Sequence, residues 1–344
     1  MKTPVNVAVV GLGFMGVTHL KAYQQIEGVR IAAVCDAARQ PGPDGLLPAV
    51  GGNVGSNDAI RIDPAQTRIY SKFEDVAADA GVDLIDICLP TSEHPRCSLA
   101  ALAAGKHVVC EKPLARTSAQ AREIAAAATS AATYFLPAMC MRFWPGWDWL
   151  KDQVDAGTYG KVLAARFRRV SSPPAWSRGT YLKGIDSGGA LLDLHVHDVD
   201  FIQFCFGRPK RLFARGLSKI SGAIDHVVAQ FEVPGVGEIH AEGSWLMGDG
   251  FGFSMSYTVV FERATADYDI ARGPDALRLF EEGAAPRTLT PAGVDGYVGE
   301  LKHMIDAIHA RRPPSRVTVA DALSAVEICE AEERSIRTSS IVTL

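Results

Sequence analysis

The first third of the chain alternates short, continuously apolar runs with amphipathic stretches. Residues 5–10, 29–35, 67–70, 82–89, 107–110 and 133–136 read as strands. Most are continuous apolar runs, as expected of parallel strands covered on both faces. Helical patterns fall between them, at residues 15–26, 72–79, 94–104 and 118–130. The last opens on Thr117-Ser118-Ala119-Gln120, a capping-box pattern. Strand–helix repetition of this kind predicts a doubly wound parallel α/β sheet.

One stretch breaks the rhythm. Residues 40–66 carry Pro41, Gly42, Pro43, Gly45, Pro48, Gly51, Gly52, Gly55 and Pro64, too many breakers for a long helix. An irregular surface loop is the expectation.

The pattern changes after about residue 137. Helical patterns at 147–156 and 191–206 give way to true period-two alternation. In 238–245, Ile239, Ala241, Gly243 and Trp245 share one face; in 253–261, Phe253, Met255, Tyr257, Val259 and Phe261 do so. Such strands predict a largely antiparallel sheet with one face on helices and one more polar face. Helical patterns close the chain at 297–310 and 319–337. The fold class is therefore α/β, with a Rossmann-type domain over residues 1–137. A second α/β domain with a large, mainly antiparallel open sheet follows over 138–344.

Composition constrains the function. The 344 residues carry 35 Lys and Arg against 39 Asp and Glu, a formal net charge of −4. That balance gives neither the basic footprint of a nucleic-acid binder nor a polybasic membrane patch. Seven cysteines without a Cys-x-x-Cys pair, several inside apolar strands, point to reduced thiols and a cytoplasmic setting. The apolar run at 5–10 is too short to span a membrane and passes directly into a glycine motif.

Three motifs carry chemistry. The first is Gly11-Leu12-Gly13-Phe14-Met15-Gly16, set between the first strand and the first helix. Gly11 permits the tight turn, Gly13 lets a pyrophosphate approach, and Gly16 lets helix and strand pack closely. The helix N-terminus offers amides to the phosphates. Asp36, twenty positions after Gly16, closes the second strand and suits an adenosine ribose. It favours NAD over NADP, although Arg39 nearby is able to take a 2′-phosphate. The second motif is Glu111-Lys112-Pro113 at the C-terminal end of a buried strand, where open α/β sheets bind ligands. A cis Lys112–Pro113 bond would aim the lysine sharply. In the third, Asp193 and His197 stand four apart and share a helix face, which suits proton exchange near neutral pH. His195 and His197, two apart, fall on nearly opposite faces, so a metal site is not expected. His195 reads as a supporting or packing residue.

These motifs together resemble the glucose–fructose oxidoreductase / inositol dehydrogenase / rhizopine-catabolism (Gfo/Idh/MocA) family over nearly the full length. Pro90-Thr91-Ser92-Glu93-His94 resembles a family Pro-Asn-x-x-His segment beside the nicotinamide, with Thr91 in place of the common Asn. His195 stands where many members have Gly. The resemblance implies NAD (NADP possible) as cofactor and hydride transfer at a secondary alcohol or ketone of a sugar, polyol or sugar derivative. By motif position, Gly11, Gly13, Phe14, Met15, Gly16, Asp36, Pro90, Thr91, His94, Glu111 and Lys112 would hold the cofactor. Lys112 would bind the reacting oxygen, His197 would be the general acid/base, and Asp193 would bind substrate or His197. The resemblance also implies a homodimer or homotetramer through the C-terminal sheet. Arg142 and Trp176 are candidate substrate residues, since guanidinium and indole suit sugar hydroxyls and rings. Lys183 is a further candidate. Trp144, Trp147 and Trp149 read as packing anchors, and Arg166, Arg168 and Arg169 as solvation at a sheet edge or interface.

Two other functions keep the same fold. One is a redox-neutral enzyme that retains NAD and eliminates or cleaves through transient oxidation. The other is a cofactor-sensing regulator without chemistry.

Overall fold

The computed structural model describes residues 3–54, 58–174, 179 and 181–344. The chain forms two compact units: residues 1–140 with 295–323, and residues 141–294 with 324–344.

The first unit begins β1 (Val5–Val10), α1 (Phe14–Tyr23), β2 (Val29–Cys35), β3 (Leu46–Leu47), β4 (Ile60–Arg61), β5 (Arg68–Tyr70). It continues α2 (Phe73–Ala78), β6 (Leu84–Ile87), α3 (His94–Ala103), β7 (His107–Glu111), α4 (Ser118–Ser130) and β8 (Phe135–Ala138). Among the described residues these give a six-stranded sheet in the order β5-β2-β1-β6-β7-β8, parallel at every pairing. The continuous apolar runs are buried as expected: Val7, Ala8, Val9, Ile85, Val108 and Val109 are all fully enclosed. Burying one such side chain is worth roughly 1.5–3 kcal/mol. Thr117 caps α4 by accepting the Gln120 amide at 3.3 Å. In the 40–66 stretch, β3 and β4 pair as a short antiparallel hairpin.

The second unit runs through α5 (Pro145–Ala156), β9 (Val162–Ser171), α6 (Gly184–Ser187), a π-helical turn (Leu191–His195) and α7 (Val196–Phe206). It then builds β10 (Arg211–Leu217), β11 (His226–Glu232), β12 (Glu238–Ser244), β13 (Phe253–Phe261), β14 (Ala264–Asp269), β15 (Leu277–Glu281) and β16 (Arg287–Leu289). Helix α8 (Gly296–Ala310) belongs to the first unit; α9 (Val319–Thr338) enters the second, and β17 (Val342–Thr343) ends its sheet. The nine strands lie in the order β16-β15-β14-β13-β9-β12-β11-β10-β17, antiparallel except for β9 beside β12. Period-two alternation is realised: Met255, Tyr257, Val259 and Phe261 are buried on the inner face. That face packs on the π turn and α7. Trp147 sits fully buried among Phe167, Phe201, Tyr257 and Tyr268, a packing anchor as its sequence context suggested.

Two sequence expectations need correction. Residues 295–323 were expected in the second domain, but α8 packs on α1 and folds with the first unit. Order along the chain hides such a return. The Arg166–Arg169 group is not at a sheet edge, because β9 lies in the interior of its sheet. Arg166 and Arg168 pair with Glu242 on the polar face, whereas Arg169 is buried.

Candidate active site

The glycine loop is shaped by close approach. Gly11 has φ +90°, and a Cβ there would lie 2.4 Å from the Cys88 carbonyl oxygen. A Cβ on Gly16 would lie 1.8 Å from the Gly11 carbonyl oxygen. Gly13, in contrast, faces open space on that side and is exposed at the start of α1. A concave, side-chain-free approach to a helix N-terminus is what a pyrophosphate needs. Phe14 and Met15 are half-buried beside it, and Gly52 of the 40–66 stretch lies against the Phe14 ring.

Asp36 is built into this loop. Its Oδ2 accepts the Leu12 amide at 2.8 Å, and Oδ1 accepts the Ala38 and Arg39 amides, both at 2.8 Å. A carboxylate has about four acceptor positions, so capacity remains for a ribose hydroxyl. The Arg39 guanidinium turns to the Pro48 carbonyl.

At the neighbouring strand ends, the Lys112–Pro113 bond is cis. Lys112 is half-buried, and its amide donates to Glu111 Oε2 at 3.0 Å. Pro90 is exposed and Thr91 buried in a short 3₁₀ turn. His94 departs from its expected place as a cofactor contact. Its ring is 1% exposed, with Nδ1 2.8 Å from the Pro113 carbonyl oxygen and Nε2 2.9 Å from that of Leu89. It therefore ties together the two backbone segments that follow β6 and β7. Burial lowers its pKa.

Sequence reasoning missed the groups beneath Glu111. His19 of α1 is fully buried. Its Nδ1 lies 2.8 Å from Asp86 Oδ2, and its Nε2 lies 3.1 Å from Glu111 Oε1 and 3.8 Å from Glu300 Oε1. Burial disfavours the charged imidazole, but Asp86 and Cys88 outweigh it and raise the His19 pKa well above its ordinary value. Burial likewise works against the Glu111 carboxylate, yet His19 and Lys112 hold it below the usual range. Glu300 is pushed far up by burial; His19 opposes this, while Glu111 and Asp86 reinforce it. The signal in the sequence was a histidine on the buried face of the glycine-loop helix.

In the second unit, three residues within three positions of His197 in sequence form buried ion pairs. His195 Nε2 lies 2.9 Å from Glu332 Oε1, both fully buried. Arg169 is bidentate to Asp198, with Nε and Nη2 each at 3.0 Å. Arg142 is bidentate to Asp200 at 2.9 and 2.7 Å. Arg142 is 2% exposed, so it is a structural cation here rather than the substrate contact expected from sequence. Its planar fork matches a carboxylate already supplied by α7. From residue 187 to 202 every side chain is buried except His197, which is half-buried. Asp193 is 8% exposed in the π turn, four residues before it. Trp176 lies outside the described residues. Lys183 is exposed just before α6.

Residues 5–137 match the family model described as "Oxidoreductase family, NAD-binding Rossmann fold", and residues 147–267 match the GFO/IDH/MocA C-terminal domain. The chain belongs to the Gfo/Idh/MocA oxidoreductase family, and its first domain is that family's NAD-binding Rossmann fold. It is 30% identical over 176 residues to trans-1,2-dihydrobenzene-1,2-diol dehydrogenase of Mus musculus, covering 49% of this chain and 50% of that protein. It is 30% identical over 223 residues to D-glucoside 3-dehydrogenase of Escherichia coli (strain K12), covering 63% of this chain and 59% of that protein. The chain thus matches roughly half the length of these curated relatives. A levoglucosan dehydrogenase solved with NADH shares the fold at TM-score 0.83 and 20% identity, over 99% of both chains.

Among the described residues, no helix is long and apolar enough to cross a membrane.

Proposed function

We propose that this protein is an NAD-dependent dehydrogenase or reductase acting on a secondary alcohol or ketone of a sugar, polyol or related compound. Bound NAD supplies the hydride acceptor or donor at its nicotinamide ring. The open glycine loop holds the pyrophosphate, and Asp36 takes the ribose. Lys112 hydrogen-bonds the reacting oxygen and favours negative charge as it develops there. His197 accepts the alcohol proton in oxidation and returns it in reduction, and Asp193 orients the imidazole or a substrate hydroxyl. The relatives named above, a dihydrodiol dehydrogenase and a glucoside 3-dehydrogenase, support a hydroxyl-bearing ring as substrate.

The observation that carries the reading is the half-buried position of His197. Between residues 187 and 202 it is the one side chain that is not buried, in a segment that also carries three buried ion pairs. A half-buried imidazole four residues after Asp193 is available for proton exchange near neutral pH.

The test is a panel of sugars, polyols and cyclic diols with NAD, followed by absorbance of the reduced cofactor. Lys112→Met and His197→Ala each lower turnover by about a hundredfold or more. Turnover near wild type in either variant removes that residue's role. Substrate consumed without net reduced cofactor shows the redox-neutral reaction instead.

The open face of the nine-stranded sheet supports self-association. Val228, Val260 and Phe280 are exposed there at 42%, 36% and 40%, among Arg166, Arg168 and Glu242. A homodimer or homotetramer through this face is expected in light scattering. A monomer at micromolar concentration rejects it. The buried thiols of Cys35, Cys97, Cys110, Cys205 and Cys329 support a reducing, cytoplasmic setting.

A further inference from the structure

The cluster of His19, Asp86, Glu111 and Glu300 holds four ionisable groups at 0–6% exposure. Were every carboxyl ionised, one imidazolium would face three negative charges out of water, which is costly. The geometry resolves this. His19 Nδ1 is hydrogen-bonded to Asp86 at 2.8 Å, and Nε2 lies at ion-pair distance, 3.1 Å, from Glu111 Oε1 without hydrogen-bond geometry, so an imidazolium between the two carboxylates balances their charge. Glu300 completes the cluster as the neutral acid, and neither of its oxygens has a hydrogen-bond partner among the described residues.

Glu111 is the link outward. One carboxylate oxygen faces His19; the other accepts the Lys112 amide at 3.0 Å. Lys112 is the next residue, and its side chain starts from that backbone. His19 itself lies on the helix that follows the glycine loop. The network therefore joins α1, β6, the end of β7 and α8.

We propose that His19 is a positioning residue for Lys112: it fixes the Glu111 carboxylate, which in turn fixes the backbone from which Lys112 projects. This rests on the role given to Lys112 above. Small errors in placement near a reacting atom are expensive in rate, about a hundredfold for roughly 1 Å. The groups facing His19 are Asp86 on β6 and Cys88 just after it, Glu111 on β7, and Glu300 and Tyr297 on α8.

The experiment compares His19→Gln, Glu300→Gln and Lys112→Met, alone and with His19→Gln combined with Lys112→Met. His19→Gln lowers kcat about 10- to 100-fold, with NADH affinity by fluorescence titration and substrate KM within about threefold of wild type. Glu300→Gln, an amide in place of a neutral acid of the same shape, stays within about threefold. In the Lys112→Met background, His19→Gln has no further effect on kcat. Additive losses, an equal loss of NADH affinity, or wild-type kcat in His19→Gln each overturn the proposal. Near-wild-type kcat in Lys112→Met overturns the Lys112 role itself, a distinct result. If His19→Gln does not fold, long-range ¹H–¹⁵N spectra of the intact wild-type protein decide. Both His19 nitrogens protonated at neutral pH supports the proposal. A neutral ring, or stoichiometric bound metal in the purified protein, overturns it.

Discussion

The pair formed by His195 and Glu332 offers the sharpest test of how the second unit is held. Both side chains are fully buried, and Nε2 lies 2.9 Å from Oε1. Glu332→Ala leaves a buried imidazole without its acceptor. Breaking a buried ion pair from one side costs about 3–5 kcal/mol. For a unit of this size, roughly 2–4 °C per kcal/mol gives a fall of about 6–20 °C. Glu332→Gln keeps an acceptor oxygen and loses only the charge, so it costs less, about 1–2 kcal/mol. The assay is direct, because all five tryptophans (144, 147, 149, 176 and 245) fall in the sequence between residues 141 and 294, whose described part belongs to the second unit. Denaturant unfolding followed by tryptophan fluorescence therefore reports on that unit.

The pH dependence carries a sign. Burial alone would depress the His195 pKa, but the charge and hydrogen bond of Glu332 raise it above the ordinary 6.5. A histidine raised on folding contributes its full stability below its unfolded pKa. That contribution fades as pH rises through the folded value. The stability gap between wild type and Glu332→Ala is thus widest near pH 6 and narrows toward alkaline pH. A gap below about 1 kcal/mol, or one that widens with pH, would refute the reasoning. Replacing both partners by apolar residues of similar volume, as in H195L/E332L, costs less than Glu332→Ala alone, since no unpaired buried group remains.

Other outcomes follow from the same structure. Gly16→Ala drives a Cβ to 1.8 Å from the Gly11 carbonyl oxygen, so NADH binding by fluorescence titration is lost or the first unit fails to fold. Asp36→Ala removes the acceptor of the Leu12, Ala38 and Arg39 amides, and NAD affinity falls by about tenfold or more in a binding titration. Arg142→Ala strands the Asp200 carboxylate in the core, and denaturant unfolding shows a loss of about 3–5 kcal/mol; an unchanged midpoint with a raised substrate KM would restore Arg142 to the substrate site.

Much of the fold was legible because its signals are local. Glycine spacing, strand-end placement of Glu111 and Lys112, and period-two alternation each need only a few neighbouring residues. What was hidden depends on distance or on handedness of a single turn. His19 and Asp86 are 67 positions apart, and Arg142 and Asp200 are 58 apart. Neither pairing leaves a mark in local periodicity, so Arg142 looked available when it was already engaged. The π turn at Leu191–His195 shares its apolar spacing with an α-helix over so short a run, and only its hydrogen bonds separate the two. Gly243 shows the same limit from the other side. It fits the inner face of β12 by alternation alone, but its lack of a side chain is what admits the His195 ring, since a Cβ there would lie 2.6 Å from His195 Cβ.

The return of residues 295–323 to the first unit bears on how such a chain could be recombined. A single exchange with a related gene anywhere between residues 140 and 295 would bring in a foreign α8. His19 and Glu111 would then face whatever that helix carries in place of Glu300. Swapping the second unit cleanly takes three junctions: one near residue 140 and one on each side of residues 295–323. Exchange of the second unit is therefore constrained by a helix that belongs, in its packing, to the cofactor half.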